Sequence, residues 1–387
     1  MSEAKEFPQP RNSTYSGAMG VYRRGRLLLI GIIGGTALAI ASAGVLSAAP
    51  LPPREPTAVV TQSSDAAKLT KRELAAAVLF GCADSANTSA QRNMAAAGVG
   101  GIVLLGANPP ANLAARLRSV RKAAPTKPGP LIASDEEGGT VQRLGRLIYP
   151  LPSAESMSSW SKSKLRSTAR RYGDRMMDLG IGMSLAPVAD LRVPGSYLDK
   201  LNRAFSTSPA RTGRAVKAWS AGLRRADVIP VVKHWPGHGH AADTHTTAAR
   251  VPSYAQLRRA DLKPFQRFMA ATERPVVMVA HVQSKGLTAP GVPATQSAKA
   301  IRVLRDQAGP EAVIVTDSLS MAAATSARGL SESGAVVAAL QAGVDWAMVC
   351  TSNIKPVISA VVAALRSGDL SRDQLEASLA RIRALRG

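Results

Sequence analysis

Aromatic residues are scarce in this chain of 387 residues, because Phe, Trp and Tyr together make up only 4% of it. Proteins that bind single-stranded nucleic acids use aromatic side chains as stacking platforms, and sugar-binding surfaces use them in a similar way. The shortage therefore argues against a broad stacking surface. Apolar residues nevertheless reach 45%, enough for a sizeable core, which excludes a wholly disordered or collagen-like chain.

Acidic residues are also few, since 26 Asp and Glu stand against 49 Lys and Arg, for a formal net charge of +23. The basic residues are spread along the chain and form no cluster interleaved with aromatics, so the pattern does not indicate nucleic-acid binding. We interpret the charge as a solvated surface that favours anionic neighbours, such as an acidic cell-wall polymer.

The N-terminal part of the chain has the features of an export signal. A polar segment, residues 1–26, carries three arginines near its end, and residues 27–49 contain no charged side chain. This apolar stretch is long enough to cross a bilayer as a signal anchor, and small residues near its end also suit cleavage as a signal peptide. Residues 50–64, rich in Pro, Thr and Ser, are typical of a linker. We expect an extracytoplasmic protein, secreted or anchored to the plasma membrane by residues 27–49, with its folded domain in residues 65–387.

The rest of the chain alternates short apolar runs with segments of helical periodicity. Apolar strands that alternate with helices indicate a parallel sheet covered on both faces. Eight such units favour an α/β fold of the (β/α)8 TIM-type barrel over an open doubly wound sheet, because no glycine-rich turn follows the first strand. The predicted strands are Ala76–Cys82, Gly101–Leu105, Leu131–Asp135, Met183–Asp190, Val228–His234, Pro275–His281, Ala312–Asp317 and Asp345–Cys350. The predicted helices are Ala111–Lys122, Ala154–Leu179, Pro209–Arg225, Tyr254–Ala271, Ala335–Ala342 and Ser371–Leu385, the last with Ser371 as its N-cap.

Ionisable residues stand at the ends of five successive predicted strands. In (β/α)8 barrels the carboxyl ends of the strands surround the active site, so these side chains are expected to face one pocket. A single polar residue at a strand end indicates only that the strand has reached water, whereas five in succession favour a functional site. They are Asp135, Asp190, the pair Lys233–His234, His281 and Asp317.

All five histidines of the chain lie at the ends of the fifth and sixth predicted strands. Asp243 precedes His245 by two residues, close enough for its carboxylate to orient the imidazole and raise its basicity, which suits a general acid/base. His240 is an alternative proton donor. A metal site is the competing interpretation, but the first predicted strand lacks the His-x-His pattern of metal-dependent barrel hydrolases, so we expect no metal.

The two cysteines of the chain, Cys82 and Cys350, end the first and eighth predicted strands. In a closed barrel these strands are neighbours, and both cysteines would lie on the same face. A disulfide between them fits an exported protein, with two unpaired buried thiols as the alternative.

Several ordered motifs together resemble glycoside hydrolase family 3, and more closely its single-domain bacterial β-N-acetylhexosaminidases. The sequence KHWPGHG at 233–239, followed by Asp243-Thr-His245, is similar to the family signature. The resemblance spans roughly residues 70–387 and implies a barrel without the second, sheet-containing domain of many family members. The other similar stretches are Asp135–Arg143, Leu185–Asp190, Asn202–Phe205 and Val315–Met321.

The resemblance implies specific roles for the candidate residues. Asp317 is expected to be the nucleophile, and His245 with Asp243 the acid/base. Asp135 is expected to hold sugar hydroxyl groups through charge-assisted hydrogen bonds. Four further residues are expected to contact the sugar and its 2-acetamido group: Arg143, Arg203, Lys233 and His234. We expect His238 to be structural, and His281 to lie in the pocket without an assigned task.

The function that the resemblance implies is a retaining exo-glycosidase. It is expected to remove terminal β-linked N-acetylglucosamine, from peptidoglycan fragments or muropeptides, with no metal or organic cofactor. The alternatives are a β-glucosidase or a sugar phosphorylase on the same barrel. A non-catalytic cell-wall-binding protein is the alternative of a different class.

Overall fold

A computed structural model describes residues 68–386 of the protein. The expected polar segment, apolar export segment and linker all lie outside these residues. Within the described part, no helix is both long and apolar enough to cross a membrane.

Eight parallel strands form one sheet in chain order. The last and first strands are neighbours, and the bridge between Val315 and Trp346 joins the two ends of the sheet into a barrel. The predicted parallel α/β barrel is therefore confirmed. The barrel strands are β1 (Leu79–Asp84), β2 (Gly101–Leu105), β3 (Leu131–Ser134), β4 (Met183–Ser184), β5 (Ile229–Trp235), β6 (Val276–Val279), β7 (Val313–Thr316) and β8 (Ala347–Val349).

Helices follow the strands and cover the outside of the barrel. Most begin at a Ser, Thr or Asn whose side chain accepts a hydrogen bond from the first turn, and Ser371 caps the last α-helix as predicted. The helices are Lys71–Ala77, Thr88–Ala96, Leu113–Ala123, Ala154–Met157, Lys162–Asp178, Tyr197–Lys200, Pro209–Arg224, Tyr254–Leu257, Leu262–Met269, Ala298–Ala308, Glu332–Ala342, Lys355–Ser367 and Arg372–Arg383.

Four predicted elements have wrong boundaries. The predicted helix Tyr254–Ala271 is two helices, Tyr254–Leu257 and Leu262–Met269, and the other three differ for local reasons. The predicted first strand starts too early, because a capping box between Thr70 and Glu73 begins a helix that runs to Ala77. The predicted helix over 154–179 is two helices, because the Ser161 side chain caps a new one. The predicted fourth strand is only two residues long, because Pro187 has no amide hydrogen for a strand ladder.

The disulfide between Cys82 and Cys350 lies at the β1–β8 seam, with the two Cα atoms 4.5 Å apart. Cys82 lies in β1 and Cys350 directly follows β8, so the bond links the two strands that close the barrel. It spans 268 residues of sequence. A crosslink over so long a loop restricts the unfolded chain strongly.

Loss of this disulfide is expected to lower the free energy of unfolding by about 2–5 kcal/mol. Urea unfolding with and without reductant measures the effect. A double variant, Cys82→Ser with Cys350→Ser, is the control, because its stability should not respond to reductant. A double variant as stable as the oxidised protein would contradict the expectation.

Candidate active site

A cavity of about 360 Å³ opens at the carboxyl ends of the barrel strands. Five residues that the sequence analysis selected line it together, although they come from distant parts of the chain. They are Asp135, Arg143, Lys233, His245 and Asp317. The rest of the wall consists of two serines, apolar side chains and the disulfide: Ser318, Ser320, Val103, Leu105, Leu185, Met278, Met321, Met348, Cys82 and Cys350. The cavity wall thus combines charged and apolar side chains.

Asp317 directly follows β7 and is fixed by its own backbone. Its amide donates to the Val279 carbonyl at the end of β6, and its Oδ1 accepts from the Ser318 amide at 2.8 Å. Burial raises the pKa of this carboxyl, but His234, His281, the Ser318 amide and Lys233 together outweigh burial and hold the pKa at about 2. Asp317 is therefore ionised near neutral pH, as a carboxylate nucleophile must be.

Lys233 is fixed between two carboxylates. Its Nζ lies 2.6 Å from Asp135 Oδ1 and 2.7 Å from Glu137 Oε1. Burial lowers the pKa of Lys233, but Asp135 and Glu137 outweigh it, so the net shift is upward and the ammonium stays charged. Arg143 approaches the same Asp135, with Nη2 3.8 Å from Oδ2. The result is a rigid arrangement of alternating charge at the mouth of the barrel.

Glu137 is a buried carboxylate that pairs with Arg203 and Lys233, and the sequence analysis assigned it no role. Arg203 binds it through two hydrogen bonds, Nε to Oε2 at 2.7 Å and Nη2 to Oε1 at 2.8 Å. Burial raises the pKa of Glu137, but Arg203 and Lys233 lower it far more, so the side chain stays ionised. Arg203 is only 11% exposed and is not part of the cavity wall. Its described contacts therefore hold Glu137, and through it Lys233.

The alternation of side chains along residues 135–137 explains why Asp135 and Glu137 contact Lys233 and Glu136 does not. Successive residues of an extended segment point to opposite sides, so Asp135 and Glu137 both reach Lys233 while Glu136 points away. The segment then turns back as the strand Glu136–Gly138 pairs with Val141–Gln142. Gly138 is required at this turn, because it has φ 90° and a Cβ there would lie 2.2 Å from the Pro152 carbonyl oxygen.

His234 and His238 share a buried carboxylate, Asp190. His234 Nδ1 lies 2.6 Å from Asp190 Oδ2, and the His238 amide donates to Oδ1 at 2.6 Å. His238 Nε2 also lies 3.2 Å from Thr244 Oγ1. Burial lowers the pKa of His238 to about 4, so its ring is neutral. Neither histidine lines the cavity, and both hold the loop that follows β5.

His245 and Asp243 form a close pair at the rim of the cavity. His245 Nδ1 lies 2.6 Å from Asp243 Oδ1, and the same oxygen accepts the His245 amide at 3.0 Å. Burial raises the pKa of Asp243, but the hydrogen bonds from His245 outweigh it and the net shift is downward. The His245 side chain is 60% exposed. Because Nδ1 faces the carboxylate, Nε2 is the ring nitrogen that remains for a substrate.

The loop that carries His245 rests on the loop that follows Asp317. The Ala322 amide donates to the His245 carbonyl, and the Ala323 amide donates to the Thr244 carbonyl, both at 3.3 Å. Two backbone contacts therefore join the segments that carry the candidate acid/base and the candidate nucleophile.

The two remaining histidines have other partners. His240 Nε2 lies 3.5 Å from Asp261 Oδ1, and His240 is not part of the cavity wall. His281 uses both ring nitrogens, Nδ1 with Thr295 Oγ1 and Nε2 with the Ser318 carbonyl, each at 2.8 Å. His281 therefore holds the residue next to Asp317. In residues 68–386, no group of three His, Cys, Asp or Glu side chains has the geometry of a metal site.

Glu136 is a buried acid behind the cavity wall. Its carboxylate accepts hydrogen bonds from Ser134 Oγ at 2.5 Å, the Tyr172 hydroxyl at 2.6 Å and the amides of Arg143 and Leu144 at 3.3 and 3.4 Å. Burial raises the pKa of Glu136 from 4.5 to about 7 despite these bonds. The carboxyl therefore titrates near neutral pH in the folded protein.

Glu136 is expected to make the protein less stable as the pH rises from about 5 to 7. In that window the folded state binds a proton that the unfolded chain has lost, so the free energy of unfolding decreases with pH. The difference between wild type and Glu136→Gln, measured by urea unfolding at several pH values, isolates this contribution. The exposed residue Glu273, changed to Gln, provides the control. A difference that stays constant from pH 5 to 8 would contradict the pKa of about 7.

The fold and the site together define an enzyme of the glycoside hydrolase type. A (β/α)8 barrel carries an ionised carboxylate and an Asp–His pair on one cavity at its catalytic face. The chain belongs to glycosyl hydrolase family 3, since the N-terminal domain of that family matches residues 67–385.

Two bacterial relatives support this family assignment. The beta-hexosaminidase LpqI of Mycobacterium tuberculosis is 37% identical over 273 residues, which cover 67% of this chain and 69% of that protein. A beta-hexosaminidase of Alkalilimnicola ehrlichii is 34% identical over 266 residues, covering 65% of this chain and 74% of the relative.

Solved structures agree as well. A family 3 glycosyl hydrolase of Mycobacterium smegmatis superposes with a TM-score of 0.75 at 35% identity, over 84% of this chain and 99% of that one. A family 3 β-N-acetylglucosaminidase of a Paenibacillus species gives a TM-score of 0.75 at 28% identity, over 82% of this chain and 62% of that one.

Proposed function

We propose that the protein is a retaining exo-β-N-acetylglucosaminidase. The observation that carries the proposal is that ionised Asp317 and His245, paired with Asp243, line a single cavity. The names of the relatives, beta-hexosaminidase and β-N-acetylglucosaminidase, point to the same reaction.

In the first step, Asp317 attacks the anomeric carbon and forms a glycosyl ester while the bond to the leaving oxygen breaks. His245 gives its proton to that oxygen, and Asp243 stabilises the imidazolium before the transfer. In the second step, His245 takes a proton from water, whose oxygen attacks the anomeric carbon. The ester bond breaks, Asp317 is released as a carboxylate, and the sugar leaves with its original configuration.

Charged groups on the cavity wall supply the binding of the sugar. Asp135 accepts hydrogen bonds from hydroxyl groups, and Lys233 and Arg143 donate to oxygen atoms. Arg203 and Glu137 keep Lys233 in place, so we assign Arg203 a positioning role, and we assign His234 the same role through Asp190. A cavity of about 360 Å³ lies at the small end of ligand sites, which favours one terminal sugar over a longer chain.

We further propose that residues 27–49 export the chain, as a cleaved signal or as an anchor, and that its substrates are peptidoglycan fragments. The disulfide supports an oxidising compartment. The net charge of +23 supports contact with anionic wall polymers. Binding of the protein to isolated cell walls is then expected to weaken as salt rises, because salt screens such contacts. Binding that does not change with salt would contradict the wall contact.

Turnover of p-nitrophenyl glycosides tests the proposed reaction. The protein is expected to release p-nitrophenol from the β-N-acetylglucosaminide, with no requirement for phosphate and no loss after EDTA treatment. Preference for the β-glucoside would replace the sugar assignment, and a sugar phosphate formed with added phosphate would indicate a phosphorylase. No turnover of either glycoside by the folded protein would favour the non-catalytic wall-binding alternative.

A further inference from the structure

A second cavity, of about 550 Å³, lies at the opposite end of the barrel from the active site. Its wall is formed by residues that immediately precede β1, β2 and β3, by the loop 124–130, and by the end of the chain. Among the described residues that line this cavity, three are basic, Lys127, Arg383 and Arg386, and none is acidic. The catalytic cavity, in contrast, balances its basic residues with Asp135 and Asp317.

Within residues 68–386, no carboxylate forms an ion pair with the basic side chains of this cavity. Arg386 is partly buried and donates to the carbonyls of Gly129 at 2.6 Å and Gly100 at 3.2 Å. Burial lowers the pKa of Arg386, and the nearby charges of Arg121 and Arg383 lower it further, to about 10. Both of these guanidinium groups therefore lie within electrostatic reach of Arg386. Within residues 68–386, none of the arginines Arg121, Arg383 and Arg386 forms an ion pair.

Hydrogen bonds that stabilise the fold explain the positions of only some of these basic side chains. Arg121 donates to the Gly180 carbonyl, and Arg386 joins two loops, so both have structural work to do. Arg383 and Lys127, however, have no side-chain hydrogen bond or ion pair with any described residue. Like charges gathered in a partly buried site destabilise the fold unless something neutralises them.

We propose that this second cavity binds the phosphate group of an anionic ligand, held by Arg383 and Arg386 with Lys127 at its edge. The planar guanidinium fork matches two oxygens of a phosphate, and partial burial strengthens such contacts. Proline and aliphatic side chains line the rest of the cavity, which leaves room for an uncharged part of the ligand. The phosphate can belong to a free small molecule or to a phosphodiester polymer.

Titration calorimetry on the full-length chain at low salt tests the proposal. The two probes are inorganic pyrophosphate and a poly(glycerol phosphate) chain, compared at equal phosphate concentration. We expect saturable binding of at least one probe, weakened about ten- to hundredfold in Arg383→Gln and in Lys127→Gln. The control is Arg366→Gln, which removes one positive charge from an exposed helix position that does not line the cavity and should leave binding unchanged.

Thermal unfolding supplies an independent readout. Without ligand, Arg383→Gln is expected to raise Tm, because it removes repulsion, and the added anion should no longer raise Tm further. Tighter binding of one probe identifies a free or a polymer-borne phosphate as the ligand. No binding of either probe, or equal weakening in Arg366→Gln, would overturn the proposal. Glycoside turnover should be the same in all three variants, so this result does not depend on the proposed reaction.

Discussion

Asp317→Ala is expected to lower kcat on an aryl β-N-acetylglucosaminide by at least about a thousandfold. The other carboxylate on the cavity wall, Asp135, is held by Lys233 and cannot replace it. The variant is expected to fold, because within residues 68–386 the Asp317 carboxylate accepts one hydrogen bond, from the adjacent Ser318 amide. Initial rates, together with circular dichroism of the variant, measure the effect.

Reaction of Asp317→Ala with azide tests whether Asp317 is a nucleophile or acts only through its charge. In Asp317→Ala a small anion can occupy the vacated space and attack the anomeric carbon directly. The expected product is the α-glycosyl azide, formed as the aglycone leaves. Asp306→Ala, at an exposed helix position, is the matched control and should keep wild-type activity. Near wild-type activity in Asp317→Ala would contradict the assignment.

His245→Ala is expected to lower kcat/KM by about a hundred- to ten-thousandfold on substrates with poor leaving groups. The loss should be much smaller for a dinitrophenyl glycoside, because that leaving group departs without protonation. Asp243→Asn should show the same dependence on the leaving group, with a smaller loss, since its carboxylate orients and stabilises the His245 ring. A series of aryl glycosides of graded leaving-group pKa measures both.

His240→Ala is the matched control for this series. His240 lies next to Asp261 and outside the cavity wall, so its removal should leave the rates nearly unchanged. If His240→Ala instead reproduced the leaving-group dependence, the proton donor would be His240, and the role of His245 would be wrong.

The barrel could be predicted from the sequence because its strands are short, apolar and regularly separated by helices. The cavity could be predicted because the carboxyl ends of parallel strands meet on one face. This rule brings Asp135, Lys233 and Asp317 together from β3, β5 and β7 without any knowledge of side-chain packing.

The buried contacts that hold the site residues in place could not be predicted in the same way. Glu137 binds Arg203, 66 residues away, and its role depends on the hairpin turn at Gly138. Asp190 was recognised only as a strand end, and its hydrogen bonds to His234 and His238 arise from the path of the loop after β5. The role of Glu137 could have been inferred only from the alternation of side chains along residues 135–137, which places Asp135 and Glu137 on the same side.

Trapping of the covalent intermediate tests the central claim most directly. The protein is incubated with a fluorinated N-acetylglucosaminyl donor that has a good leaving group and a slow second step, then digested and measured by mass spectrometry. The peptide that contains Asp317 is expected to gain the mass of one sugar, and Asp317→Ala should gain none. A label on another residue, or rapid turnover with no labelled peptide, would contradict the assignment of Asp317 as the nucleophile.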